Sequence, residues 1–393
     1  MSLVKYIITG GNMKQGLIFT TTFIIQFIIA MEMNFIGPLA PFLAEYFNIR
    51  DSQVIYFNLG YSAVGLLVPL LGVWADRYGS KRLISYALVL FLAGSLLSAY
   101  SSTALSFALG RILIGLGYFS LSGTTMSYIS EFVDYRRRGM AAGILRTAFG
   151  LAIFVSPLYT SYLTSKFQSL RSIYLPLSIL ALIALLMLRK LPEIVKSEGT
   201  KLDMEEFIGI LKHPRSIKVL TSLFLIITAP TMLYNFLSIH LSQEFGLTQQ
   251  QIGISYSLIA LGTIAGIGAA TFFADKVGKL RFSRYFFGLM VISLIPIAYV
   301  PAATAAVALS AVFAFGLDGA WTSYQAFSSE IQPEKRGTFL SLFYTVNALT
   351  ITLYSVVGPF LFDLGGLRFT TALGVAASAI ALMILFRLGR SPA

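Results

Sequence analysis

The tract Ala75-Asp76-Arg77-Tyr78-Gly79-Ser80-Lys81-Arg82 returns as Ala274-Asp275-Lys276-Val277-Gly278-Lys279-Leu280-Arg281, 199 positions later. Both copies read A-D-[RK]-x-G-x-x-R, and both sit between long apolar runs. The same offset carries Ser130-Glu131 onto Ser329-Glu330, and an offset one shorter carries Arg138-Gly139 onto Arg336-Gly337. The chain is therefore two copies of a unit of roughly 190 residues, and such a repeat constrains the fold before any local signal does. In a membrane chain, paired halves point to a transporter in which one half rocks against the other.

The membrane reading rests on composition. The 393 residues are 56% hydrophobic and 12% charged, with a mean hydropathy of +0.78. A soluble domain carries about 25% charge. The absence of cysteine excludes disulfides, thiol catalysis and Cys-based metal sites. With His213 and His240 the only histidines, no metal centre or cofactor is expected. Twelve apolar runs match the ~20 residues that cross a bilayer. They cover 16–46, 53–75, 82–101, 104–131, 138–165, 171–189, 217–243, 251–274, 282–300, 303–330, 336–363 and 367–388, and are numbered here as spans 1 to 12. The first run lacks a small-residue cleavage site and continues through Glu32 to Pro38 and Pro41, so it is read as a retained helix.

Loop charge sets the orientation. With the N-terminus cytoplasmic, that side collects 23 of the 29 basic residues, while the outer side keeps Arg50, Lys166, Arg171 and Arg368. The net charge of +12 is then a topology signal and an attraction to anionic lipid, not a nucleic-acid footprint. Both termini are placed inside. Residues 1–190 are read as an N-terminal six-helix bundle, 191–215 as a cytoplasmic linker and 216–393 as a C-terminal six-helix bundle, related by a pseudo-twofold axis. Within the linker, Asp203 to Lys212 has the pattern of a short amphipathic helix on the membrane surface.

These features resemble the major facilitator superfamily. Gly72-x-x-x-Asp76-Arg77-x-Gly79-x-Lys81-Arg82 is similar to its signature loop between spans 2 and 3, and Asp275-Lys276-x-Gly278 to the weaker repeat between spans 8 and 9. Arg111-x-x-x-Gly115-x-Gly117 resembles a second motif, frequent in proton-coupled members. Pro38-Leu39-Ala40-Pro41 looks like the proline motif of twelve-helix drug/proton antiporters. Span 5 departs from the antiporter pattern: Gly143 and Pro157 fit, but Ala152, Ser156, Thr160 and Ser161 stand where glycines are expected. The resemblance covers nearly the whole chain and implies an all-α fold with a cavity lined chiefly by spans 1, 4, 7 and 10.

In the signature loops, glycine permits a tight reversal through positive φ. Asp76 at a helix end can accept hydrogen bonds from a neighbouring helix or pair with an arginine. Glu131 and Glu330 can pair with Arg138 and Arg336 or with the loop bases. Gly72, Asp76, Arg77, Gly79, Glu131, Arg138, Asp275, Gly278, Glu330 and Arg336 are thus read as inner latches that gate the cycle.

Polar stripes mark the cavity-lining helices. Span 4 carries Arg111, Gly115, Tyr118, Ser122 and Thr125; span 7 carries Thr228, Thr231, Asn235 and Ser238; span 10 carries Asp318, Thr322, Gln325 and Ser329. Steps of three and four place each set on one helical face, and such a face must turn toward protein or water. Glu32, Arg111, Arg146 and Asp318 lie well inside spans, at ~2.5 kcal/mol or more each by insertion scales, which marks them as functional candidates. Glu32 and Asp318 are the candidate proton carriers, since shielded carboxylates can load and release protons near neutral pH. Arg111 is expected to pair with Glu32. Arg146, Tyr118, Ser122, Thr231, Asn235, Thr322 and Gln325 are the candidate substrate contacts. His240, near the outer end of span 7, is expected at the surface.

The sequence thus points to a multi-pass transporter of the cell membrane, expected to act as a monomer on a small-molecule substrate and to be driven by protons. No G-x-x-x-x-G-K-[ST] loop for ATP is present, and no catalytic constellation, so an enzyme is not expected. The first reading is an exporter of amphipathic or cationic compounds. The alternative is a proton-coupled importer or facilitator of a sugar, carboxylate or other metabolite, favoured by span 5 and Arg146. Asp76→Asn is expected to shift cysteine-labelling accessibility toward the inward-open state; an unchanged labelling pattern would count against the latch.

Overall fold

The computed structural model describes residues 13–71, 74, 79–133, 138–193 and 204–388. Lipid offers the backbone no hydrogen-bond partner, so a spanning segment satisfies itself as a helix. The described residues are helices joined by short turns, with no strand among them. Eleven helical segments are long and apolar enough to cross a bilayer. The last, Arg336–Leu388, holds two spans: Gly365 (φ −157°, ψ 22°) and Gly366 (φ 61°, ψ −153°) leave helical geometry between them. The twelve expected spans are all present.

Span 1 comprises α1 (Met13–Met33) and α2 (Ile36–Phe47), and span 2 comprises α3 (Phe57–Ala63) with 3₁₀ turns at Asp51–Tyr56 and Val64–Leu67. Spans 3 to 6 are α4 (Ser80–Ala99), α5 (Ala104–Glu131), α6 (Arg138–Phe167) and α7 (Arg171–Arg189). A short α8 (Met204–Lys212) follows, where the amphipathic pattern predicts it. Spans 7 to 10 are α9 (Pro214–Phe245), α10 (Gln249–Val277), α11 (Lys279–Ile297) and α12 (Ala303–Ser328). Spans 11 and 12 are α13 (336–364) and α14 (367–388). Span 7 starts at Pro214, earlier than the apolar run predicts, because proline at the first helical position forfeits only an N–H that would be unpaired there anyway.

By contacts the chain groups into two compact units: Met1–Asn34, Leu70–Ser156 and Phe167–Leu202 form one, and Phe35–Pro69, Pro157–Lys166 and Asp203–Ala393 the other. In the first unit, Lys81 Nζ donates to the carbonyl of Leu191 just beyond the end of α7 at 2.5 Å, and Arg82 pairs with Glu193 at 2.7 Å. In the second, Arg284 donates through Nε and Nη2 to the Leu385 carbonyl near the end of α14, at 3.0 and 2.6 Å. A cation on the last carbonyls of a helix satisfies orphan acceptors and complements the helix dipole. Bases at the start of spans 3 and 9 thus anchor the ends of spans 6 and 12 in their own halves.

Proline decides where span 1 yields. Pro38 has no N–H for the Asn34 carbonyl, and its ring crowds that carbonyl. The helix breaks there, at Asn34 and Phe35, and the unbroken span read from the sequence is corrected to two helices. Asn34 turns its side chain back, with Nδ2 donating to the Ala30 carbonyl at 2.8 Å. Pro41 likewise leaves the Gly37 carbonyl without its helical donor, and Ser238 Oγ of α9 fills the vacancy at 2.5 Å. Gln249 Nε2, opening α10, donates both to the Pro38 carbonyl at 2.8 Å and to Ser161 Oγ at 3.0 Å. Gly253, one turn on, lets α10 lie against α6: a Cβ there would stand 2.4 Å from Ser161 Cβ and 2.7 Å from the Pro157 carbonyl oxygen.

Ser238→Ala is expected to cost about 1 kcal/mol of stability, because it leaves a part-buried carbonyl without its donor. In a Pro41→Ala background the new N–H of residue 41 can reach Gly37, and the same change is expected to cost markedly less. Unfolding of the four proteins in detergent measures the cycle; an equal cost in both backgrounds would reject the explanation.

Candidate functional site

Two groups of polar side chains stand out, one in each unit. In the first unit, Thr103 caps α5 and receives the Ser106 amide at 3.2 Å, which starts the helix about two turns before Arg111. Glu32 comes from the last turn of α1. Arg111 Nη1 donates to Glu32 Oε1, and the two side chains are 1% and 0% exposed. Tyr174 of α7 donates its hydroxyl to the same carboxylate oxygen at 3.5 Å, and its ring meets Phe107 edge-on. Glu32 Oε2 has no hydrogen-bond partner. Both neighbours of Glu32 in sequence are held: Ser156 Oγ donates to the Met31 carbonyl at 2.7 Å, and Tyr118 Oη lies 2.9 Å from Met33 Sδ. The expected Glu32 and Arg111 contact is thus present, and Tyr174 is an addition that no spacing rule reveals.

In the second unit, a cavity of about 290 Å³ opens between α9, α12 and α13. Among the described residues Asp318 is the one ionisable carboxylate in its wall, with Thr231 and Asn235 on α9 and Asn347 on α13 as the amide and hydroxyl groups. Tyr234 and Trp321 supply the aromatic walls, and they are set by edge-on packing of Tyr234 against Phe313 and by contact of Trp321 with Phe343 at 5.3 Å. Asp318 Oδ2 accepts from Thr263 Oγ1 of α10 at 2.7 Å. Thr231 spends its hydroxyl on the Ile227 carbonyl at 2.8 Å. Asn235 Oδ1 accepts from Asn58 Nδ2 at 3.3 Å. The chemistry suits a small amphipathic ligand: among the described lining residues there are one carboxylate, two carboxamides and a hydroxyl, the rest apolar or aromatic, and no cation.

Of the residues read as substrate contacts, Thr231 and Asn235 reach this cavity. Thr322 and Gln325 lie further along α12, where Thr322 Oγ1 donates to the Asp318 carbonyl and Gln325 Nε2 to the Tyr344 hydroxyl. Tyr118 and a half-buried Ser122 belong to the first unit, as does Arg146, whose side chain is exposed on α6. Trp321, Asn347 and Thr263 escaped the stripe pattern because each helix offers one set of three-and-four steps, and residues at its margins are not distinguishable by spacing. His240 is buried, contrary to the expectation of a surface residue: its ring packs edge-on against Phe245 across the last turns of α9.

The repeated loops share a backbone device. Gly79 and Gly278 adopt φ of 91° and 95°, each directly ahead of the helix that follows, and each carbonyl accepts from the amide four residues on, Leu83 and Phe282. Gly72, Asp76 and Arg77 lie outside the described residues, and Glu131 and Arg138 end and begin helices whose side chains there are likewise outside the description. In the second copy, Lys279 pairs with Glu330 and lies 3.9 Å from Asp275. Arg336 donates to Ser329 Oγ at 2.7 Å.

Residues 22–329 and 219–393 match the family model of the Major Facilitator Superfamily. An uncharacterized MFS-type transporter of Bacillus subtilis, YwfA, is 24% identical over 345 residues, covering 85% of this chain and 82% of that protein. The 4-hydroxybenzoate transporter PcaK of Acinetobacter baylyi is 28% identical over 156 residues, 39% of this chain and 34% of that one. Among solved structures, a D-xylose–proton symporter superposes with a TM-score of 0.78 at 17% identity, over 95% of this chain and 97% of that chain. A peptide transporter, POT, gives 0.79 at 14% identity, over 97% and 96%. At these identities the likeness establishes the fold.

Removing one member of a buried pair strands the other charge, at about 3–5 kcal/mol. Arg111→Met is therefore expected to be strongly destabilising, and Glu32→Gln combined with Arg111→Met to recover most of the loss. Thermal unfolding in detergent tests this; a double variant no more stable than Arg111→Met alone would mean that the pair is not the source of the cost.

Proposed function

The chain belongs to the Major Facilitator Superfamily, and on that footing we propose that it is a proton-coupled secondary transporter that exports amphipathic or cationic compounds by alternating access. That it is a multi-pass membrane transporter of a small molecule follows from its family. The observation that carries the finer reading is the cavity of the second unit, where Asp318 is the only charged group among the described lining residues, beside Tyr234, Trp321 and apolar side chains. A carboxylate in a wall shared with aromatic side chains favours a cation, through charge and through the ring quadrupoles. The same carboxylate can carry a proton when the cation is gone.

Glu32 and Arg111 have a separate role in this reading. Their pair is neutral as a unit and buried, so protonation of Glu32 would leave the Arg111 charge without its counter-ion and bias the first unit toward a state in which that charge is compensated elsewhere. Tyr174 holds the carboxylate in place. The latch residues of the repeated loops, Asp275, Gly278, Glu330 and Arg336 with their first-half counterparts, are assigned to the inner gate.

The second reading is import of a metabolite. It is favoured by span 5, where Ser156 and Ser161 form hydrogen bonds at positions that glycines occupy in antiporters. A D-xylose–proton symporter is among the proteins that share the fold of this chain.

Reconstituted protein separates the readings. With an acidic lumen, an antiporter accumulates an organic cation inside the vesicle as protons leave; a symporter accumulates substrate only when the outside is acidic. Asp318→Asn is expected to reduce pH-driven accumulation at least tenfold. Full accumulation in that variant would remove Asp318 as the proton carrier, and accumulation only under an acidic exterior would overturn export.

A further inference from the structure

The polar side chains in the wall of the Asp318 cavity are not equally available to a ligand. Thr231 donates its hydroxyl to the Ile227 carbonyl, and Asp318 accepts from Thr263. Asn235 accepts from Asn58, and its own Nδ2 is enclosed away from the cavity. Asn347 of α13 differs: it lines the cavity, is half-buried, and makes no hydrogen bond with a described residue. Its neighbours on the helix behave as lipid requires, for Thr345, Thr350, Thr352 and Ser355 each return a hydroxyl to the carbonyl one turn back. Asn347 keeps its donor hydrogens and its acceptor oxygen for whatever occupies the cavity.

Packing sets the depth of this group. α12 and α13 are successive spans and run antiparallel, and the rings of Trp321 and Phe343 meet between them at 5.3 Å. Asp318 precedes Trp321 by three residues and Asn347 follows Phe343 by four. At 1.5 Å per residue both stand about one turn from that contact, in the same direction. The carboxylate and the carboxamide therefore line the cavity at roughly one depth, from two adjacent helices.

We infer that Asn347 is a specificity-determining residue that selects cations bearing N–H donors, namely protonated primary and secondary amines, over quaternary ammonium ions. The inference rests on the proposed cation site and narrows its substrate class. A protonated amine carries at least two N–H groups, so it can donate to the Asp318 carboxylate and to the Asn347 carboxamide oxygen together. A quaternary ammonium has no N–H to give. Only its charge and the aromatic faces of Tyr234 and Trp321 hold it. A carboxamide that reaches a cavity is hydrated until a ligand arrives, and a methyl group that displaces this water returns no hydrogen bond. That unreplaced bond is the source of the discrimination.

The test uses two probes of equal charge on one apolar body, 4-phenylbutylamine and 4-phenylbutyl-trimethylammonium. Isothermal titration of the full chain in detergent at neutral pH is expected to show the amine binding about tenfold tighter, and Asp318→Asn to abolish binding of both. Asn347→Leu keeps the bulk of the side chain and removes its acceptor, so it is expected to bring the two affinities within about twofold of each other. Asn347→Ala serves as a second, smaller change should the leucine disturb folding. Equal affinities in the unaltered protein, or a preference for the amine that survives both Asn347 variants, would overturn the inference and leave the cation site standing. Binding of neither probe, or binding indifferent to Asp318→Asn, would overturn the cation site itself and the inference with it.

Discussion

The absence of water around a spanning backbone governs this molecule. Every carbonyl that loses its helical donor must find another inside the protein, and prolines create such losses at fixed places. Pro38 breaks span 1, and Pro41 frees the Gly37 carbonyl, which Ser238 then occupies. Gln249 binds the Pro38 carbonyl and Ser161 together. Defects that would weaken a soluble helix thus become attachment points between segments far apart in sequence. The attachments within the second unit draw residues of spans 1, 2 and 5 onto spans 7, 8 and 11, as Asn58 with Asn235 and Thr352 with Ser62 also do.

The repeat was legible in the sequence because its residues answer to local geometry. Gly79 and Gly278 both take positive φ, a requirement of the turn itself that any copy of the loop must meet. Helix positions were legible for the same reason, since hydropathy and turn chemistry act over neighbouring residues. The break at Asn34 was written in Pro38 but passed over, because the apolar run continues through it. Polar stripes identified the faces of α9 and α12, and with them Thr231, Asn235 and Asp318.

What a single sequence does not contain is the partner across the fold. Glu32 and Arg111 were joined by chemical need, two buried opposite charges, but nothing pointed to Tyr174 beside them. Lys81 and Arg82 read as orientation charges, and in the structure they also cap and brace the end of span 6. His240 looked superficial by its position near a helix end, yet α9 continues to Phe245, whose ring covers it. Span 5 shows the same limit in another form. Ala152, Ser156, Thr160 and Ser161 stand there in place of glycines, and the close approach is supplied from the facing helix by Gly253.

The pairing of Glu32 with Arg111 has a consequence for how the chain is made. The two residues are 79 positions apart, and spans 2 and 3 separate their helices. Span 1 therefore enters the bilayer carrying a carboxyl group whose guanidinium is still to be synthesised, at ~2.5–3.5 kcal/mol on the insertion scale. Span 4 brings the compensating charge later, and span 6 brings Tyr174 later still. Biogenesis of the first half is thus tied to an order of arrival, with its first helix held in an unfinished state until the fourth completes it.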